Sequence, residues 1–364
     1  MSNGQPISDE RITTPVALID TGSVHKEIEP GIALCLSGGG YRAMVFHVGA
    51  LWRLNELGYL PKLVRISSVS GGSITAALLG LNWSKLDFNS QDIGQDFVRQ
   101  VVKPIRGLAG KTIDRGSIIG GLLTPGSIAD KVAKAYRKHL FDKHTLQHIP
   151  DKPRFVINAT NVQSGALWRF MKPYMRDYRV GEVRRPDIEL AVAVAASSAF
   201  PPFLSPVELE LNEADFTDNT GTDLQHAPFT TDVILTDGGV YDNLGLETAF
   251  KRYETILTSD AGGKMPPEEE PKTDWARHSF RVLSVIDNQV RSLRKRQLIA
   301  SYINNERKGA YWGIRTNIAK YNLADALEAP HEKTIELANI ATRLKRLKSR
   351  HHEQLINWGY AVCD

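Results

Sequence analysis

The chain is poor in cysteine, in net charge and in long apolar runs. Its 364 residues hold two cysteines, Cys35 and Cys363. Two in so long a chain make no disulfide framework, which favours a reducing compartment. Cys35 lies in the apolar run Ile32–Leu36, where a buried, inert thiol is expected. Net charge is only +4 and the pI about 8.9. That excess is too small to argue for nucleic acid as partner, but it suits approach to an anionic membrane surface. No stretch reaches the roughly 18 apolar residues of a membrane span. Met1–Asp20 is polar, with no apolar signal core. The expectation is a cytoplasmic protein whose membrane contact is at most peripheral.

What is present is enough for a sizeable core. Hydrophobic residues make up 42% and charged residues 24%, which suits a soluble globular protein with a real core. Residues 1–30 read as a polar arm and 31–364 as a single domain. Ile32–Leu36 is a short apolar strand, and a helical pattern follows from Ala43 to Leu57. Leu63–Ser68 is a second strand, and Ser70-Gly71-Gly72 opens a helix to about Leu79. Strand, turn, helix, repeated, is the grammar of a parallel sheet covered by helices. Further strands are predicted at 154–159, 166–170, 232–236, 255–259 and 281–286. A small-residue helix is predicted near 188–197, a basic amphipathic helix at 127–140 and a polar loop at 211–229. The Gly- and Ile-rich stretch 105–128 is a candidate lid. Residues 263–274, rich in Pro and Glu, read as mobile. From about 287 a helical extension is predicted, with segments near 289–304 and 332–358.

Two glycine turns carry the chemistry. Gly38-Gly39-Gly40-Tyr41-Arg42-Ala43 fits G-x-G-x-x-A, the dinucleotide-binding spelling. That reading needs an acidic residue at the end of the next strand to hold a ribose. The next strand ends instead in Ser67-Ser68-Val69-Ser70-Gly71-Gly72. This is close to G-x-S-x-G, a nucleophile elbow, in which small neighbours let a serine occupy a sharp strand-to-helix turn. There Ser70 would sit at a helix N-terminus, whose dipole favours developing negative charge. Gly38, Gly39 and Gly40 can supply backbone N–H donors to an oxyanion, since no Cβ blocks the approach. Arg42 can brace that loop or meet a lipid phosphate, and bracing is the plainer role.

A serine hydroxyl needs a base. Asp237, in Thr236-Asp237-Gly238-Gly239, follows the apolar run Val233-Ile234-Leu235 and is the candidate. Asp242 reads better as a helix cap. A Ser–His–Asp triad is the competitor, and the chain has ten histidines. The C-terminal ones, His278, His331, His351 and His352, do not lie in glycine-rich loops after strands. His47 reads as packing. His144 and His148 have i, i+4 spacing but no evident Cys or acidic partner, so no metal site is expected.

These elements together resemble the patatin-like phospholipase family. The matching residues are Ser37-Gly38-Gly39-Gly40-Tyr41-Arg42, Ser70 in Ser68-Val69-Ser70-Gly71-Gly72, and Asp237-Gly238-Gly239. Ala196-Ser197-Ser198-Ala199-Phe200-Pro201 is similar to the family's small-residue segment before the last catalytic strand. Ser68 stands where the family has Gly. The resemblance covers roughly 31–250; beyond it, Asp287–Arg291 and Gly309–Gly313 resemble bacterial members. It implies a three-layer α/β/α fold with a mostly parallel sheet. It also implies a Ser70–Asp237 dyad without histidine, and cleavage of phospholipids or other lipid esters with no metal or cofactor. Two other readings stay open: a soluble esterase or acyl-CoA thioesterase, and a non-catalytic lipid-binding or partner-regulated module.

Overall fold

The computed structural model describes residues 28–113, 128–202 and 204–364. Most of the expected N-terminal arm, and residues 114–127 of the candidate lid, lie outside the described residues. In chain order the elements begin with β1 (Glu29–Leu36), α1 (Gly40–Glu56), β2 (Leu63–Val69) and α2 (Gly71–Leu81). Then come α3 (Lys103–Ala109), α4 (Ile128–Tyr136), β3 (Arg154–Asn161), β4 (Leu167–Phe170), β5 (Tyr174–Asp177) and β6 (Gly181–Arg184). Next are α5 (Leu190–Ser197), β7 (Val207–Glu210), β8 (Phe216–Thr217), β9 (Asp232–Asp237) and β10 (Tyr253–Asp260). The chain closes with α6 (Trp275–Ile303), β11 (Lys308–Gly313), α7 (His331–Ala338) and α8 (Ser349–Cys363).

One sheet runs β11-β10-β1-β2-β3-β4-β5-β6-β8, with β9 on β3 and β7 on β9. The five strands from β11 to β3 are parallel. The remainder of the sheet turns back antiparallel through short hairpins. Both faces of the parallel part are covered, as a continuous apolar strand requires. Along β1, Leu34 and Leu36 join the large core under α1 and α2, while Ala33 and Cys35 join a smaller core with Leu244, Ile256 and Leu298. That alternation defines the three layers. Helix α5 is apolar nearly all round, and accordingly buried.

The 281–286 strand is a correction. Arg281-Val282-Leu283-Ser284-Val285-Ile286 has the β-branched look of a strand, but it lies inside α6. Asp274 caps the N-terminus of that helix, its carboxylate accepting from Arg277 N–H at 3.0 Å. The connection between parallel β10 and β11 also demands a crossover element. Strands β5 to β8 span two to four residues each, too short for alternation to register. The helical stretch expected at 332–358 is broken between α7 and α8, and the break matters for the site.

Candidate active site

Ser70 and Asp237 meet because β3 is longer than its neighbour. On one edge of β3, β2 pairs along Arg154 to Asn158, ending at Val69↔Asn158. On its other edge β4 pairs along Ile157 to Thr160. Strand β9 pairs antiparallel with Ala159 to Asn161, overlapping β4, so it must share the edge used by β2. Two strands therefore point their carboxyl ends at each other along one edge of a third. Val69 opposes Asn158 and Asp237 opposes Ala159, which sets the elbow and the acid side by side.

Ser70 has φ 52° and ψ −120°, a conformation few residues other than glycine adopt. The strain is held by close packing. A Cβ at Gly71 would collide with the carbonyl of Gly40, and one at Gly72 would stand 2.6 Å from the carbonyl of Leu36. Ser70 N–H donates to Ser197 Oγ at 2.9 Å. Ser197 Oγ also bonds Ser73 Oγ at 2.9 Å, and Ser73 donates to Ser68 Oγ at 3.0 Å. Ser68 in turn donates to the Val156 carbonyl. Ser68 thus ties this strand-to-helix turn to β3.

Asp237 is 1% exposed and Ser70 7%. Gly239 N–H donates to Asp237 Oδ1 at 2.6 Å, while Oδ2 is buried without a well-formed hydrogen bond. The Ser70 hydroxyl lies close enough to the carboxyl to favour its charged form. Burial nevertheless dominates, and the pKa of Asp237 is pushed up to about 7. The acid is held from both sides: its N–H donates to Ala199 O at 3.0 Å, and its carbonyl accepts from Thr160 Oγ1 at 2.8 Å.

The glycine loop opens at the same edge, since β1 pairs with β2 through Leu36↔Ser68. Gly38 differs from the expectation for it. Its N–H already donates to Asn243 O at 3.0 Å, so its contribution is clearance: a Cβ there would stand 3.2 Å from Ser70 Cβ and collide with Asn243 Oδ1. Among the described residues the N–H of Gly39 meets no acceptor. Gly40, at φ +57°, passes so close to the backbone of Arg343 that a side chain would not fit. Arg42 is buried and braces. It donates to the carbonyls of Ala261, Ala338 and Ile340, tying the loop to the break between α7 and α8.

No histidine among the described residues hydrogen-bonds to Ser70 or Asp237. His47 is buried between Ser259 Oγ and the Ser37 carbonyl, each at 2.9 Å. A carbonyl only accepts, so Nε2 carries the proton and Nδ1 accepts from Ser259. Burial lowers the His47 pKa to about 4, leaving it a neutral strut beneath the loop. His144 and His148 make local backbone bonds, to the Phe141 carbonyl and from Thr145 N–H. Asp242 caps as expected, accepting from Leu244 and Glu247 N–H. Sequence reasoning missed three residues. Asn158 donates to Ser67 Oγ and Ser68 O. Ser197 bonds the elbow through Oγ and Gly238 N–H through its carbonyl. Asn243 stands between the glycine loop and Gly239. Only Ser197 had a signal, its place in the small-residue segment.

Among solved structures, human GIVD cytosolic phospholipase A2 aligns with a TM-score of 0.53 at 14% identity, covering 91% of this chain and 58% of that one. The same human enzyme in complex with methyl gamma-linolenyl fluorophosphonate aligns with a TM-score of 0.52 at 14% identity, covering 94% and 58%. This chain thus spans under two thirds of those proteins, and the likeness is one of fold. No curated protein sequence matches it. A model of the family described as patatin-like phospholipase matches residues 34–250, from within β1 to the turn before β10. The chain belongs to the patatin-like phospholipase family.

Proposed function

We propose that the chain hydrolyses carboxylic esters of lipids, as a phospholipase A or lysophospholipase, through a Ser70–Asp237 dyad. The observation that carries this reading is the buried Asp237 carboxyl. One oxygen is fixed by Gly239 N–H, and the Ser70 hydroxyl is near enough to favour its ionised form. A base with pKa about 7 is matched to work near neutral pH. Asp237 takes the Ser70 proton as Oγ attacks the ester carbonyl. The N–H groups of Gly39 and Gly40 receive the oxyanion, with Gly38 providing room. Asp237 returns the proton to the departing alcohol. It then takes one from water, whose attack releases the fatty acid and restores Ser70.

A lipid surface as the substrate's home is supported by α6. Its first half leaves Trp275 83%, Leu283 62% and Ile286 53% exposed, beside Arg277 and Arg281. Asp287, on the same helix, is near enough to raise the pKa of Asp237, so the middle of α6 comes near the dyad. Arg277 and Arg281 are paired with Asp274 and Glu268, so what suits a bilayer interface here is the exposed apolar face itself. Peripheral contact and a reducing cytoplasmic setting, consistent with unpaired Cys35 and Cys363, belong to this reading.

Mass spectrometry of mixed phospholipids after incubation tests the substrate class: free fatty acid and lysolipid are expected. Ser70→Ala and Asp237→Asn should each lower turnover by at least about 10³-fold while the protein stays folded. Full activity in either variant removes the dyad. Activity on soluble esters alone, with none on dispersed lipid, would favour the esterase or thioesterase reading instead.

A further inference from the structure

Beyond residue 250 the chain builds a second concave site that the dyad does not use. A cavity of about 400 Å³ opens between the end of β10, the middle of α6 and the end of β11. Its size falls in the roughly 300–1,000 Å³ range of small-molecule sites. Its charged lining is Lys264, Arg291, Lys295 and Arg315 against the single acid Asp260. Arg42 stands behind it, its Nη2 3.4 Å from where a Cβ on Gly263 would be.

The existing partners do not balance these cations. Lys295 Nζ is 3.0 Å from Asp260 Oδ2 and also lies over the Tyr311 ring. Arg291 pairs with Asp287 at 3.1 Å and gives Nη1 to the Gly263 carbonyl at 2.6 Å. Among the described residues Arg315 bonds only neutral oxygens, the Ala338 carbonyl and Asn339 Oδ1. Buried Nε atoms of both Arg291 and Arg315 lack well-formed hydrogen bonds. Two carboxylates thus face five cationic groups. The field is felt on both sides. Asp260, although only partly exposed, is held down to about 2, with Lys295 the largest stabilising charge. The Arg42 guanidinium is lowered to about 10, by burial first and then by the charge of Arg315. An anion entering the cavity relieves that repulsion, and arginine's planar fork matches phosphate oxygens.

We propose that this cavity is a binding site for a phosphate-bearing ligand, held by Arg291, Lys295 and Arg315 with Lys264 at the rim. All its lining except Leu244 lies outside the family-matched stretch 34–250. It sits one side chain from the catalytic loop. Asn243 Nδ2 is 3.2 Å from a Cβ built on Gly262, and the Asn243 carbonyl holds Gly38 N–H. The phosphate can come from a lipid headgroup or from a free phosphorylated metabolite.

Binding is measured on the full chain carrying Ser70→Ala, so the outcome does not depend on hydrolysis. Inorganic phosphate and glycerol 3-phosphate are titrated by calorimetry, and vesicles of phosphatidic acid in phosphatidylcholine are tested by sedimentation. Arg291→Gln, Arg315→Gln and the exposed Lys264→Gln are compared, with circular dichroism confirming the fold. Saturable binding of the soluble probes, weakened at least tenfold by Arg291→Gln or Arg315→Gln and less by Lys264→Gln, supports the site with a free metabolite as source. Loss of phosphatidic acid pelleting in the arginine variants, without soluble-probe binding, supports it with a headgroup as source. No saturable binding and unchanged pelleting in every variant overturns it, as does binding that folded arginine variants retain in full.

Discussion

At the scale of single residues the reading rests on one carboxyl group kept out of water. Its raised pKa has two consequences of opposite use. With Asp237 as the base, kcat/KM on a soluble ester should rise through about pH 7 as the carboxyl ionises. A profile flat from pH 5 to 9 would remove Asp237 from that role. The same shift costs stability. An unfolded aspartate ionises near 3.8, so between there and about 7 the folded chain holds the extra proton, and stability falls as pH rises through that window. Asp237→Asn lacks this loss. Its melting temperature should exceed the parent's above pH 7, and the gap should close toward pH 4. Neighbouring residues act by position: Ser197 and Asn158 fix the elbow's backbone, and His47 props the loop as a neutral ring.

At the scale of elements, α6 separates fold from function. Of its 29 residues only Leu298 and Ser301 are buried, so its first half is held by little of the core. Leu283→Asp with Ile286→Asp should therefore leave the thermal melt within a degree or two. On anionic vesicles the double variant should lose most activity, while soluble-ester hydrolysis is kept. Equal loss on both substrates would show that the helix serves the fold instead. This element also marks where reading by pattern fails. The run 281–286 is β-branched and apolar, and periodicity alone cannot tell a strand from an apolar stretch of helix. A cap at Asp274 and the need to cross between two parallel strands decide it. Strands β1, β2, β3 and β9, by contrast, were legible because buried parallel or central strands carry unbroken apolar runs between glycine and serine turns.

At the scale of the whole molecule, the C-terminal residues close the fold around the glycine loop 38–40. Helix α8 lies on α1 with two glycines at the crossing. A Cβ on Gly359 would strike the Phe46 carbonyl, and one on Gly49 the Ile356 carbonyl. Gly359→Ala should destabilise the chain by about 1–3 kcal/mol, read as a lowered urea midpoint. A melt unchanged from the parent would mean that α8 is not held so closely. The break before α8 matters more than the helix itself: Arg343 O accepts from Tyr41 N–H, and Arg42 reaches Ala338 and Ile340. Residues some 300 positions away in sequence thus shape the glycine loop, and no local pattern announces them.

What the sequence determined by itself was the set of parts. Three glycines after one apolar strand, a serine between small residues after the next, and an aspartate before two glycines can each be read locally, because steric demands at sharp turns are local. What only the tertiary structure decided was their meeting. The end-to-end placement of β2 and β9 on one edge of β3 depends on strand lengths and register, which pair residues far apart in the chain. The cationic cavity belongs to the same class, since it is assembled from β10, α6 and β11 and exists only once their ends are packed together.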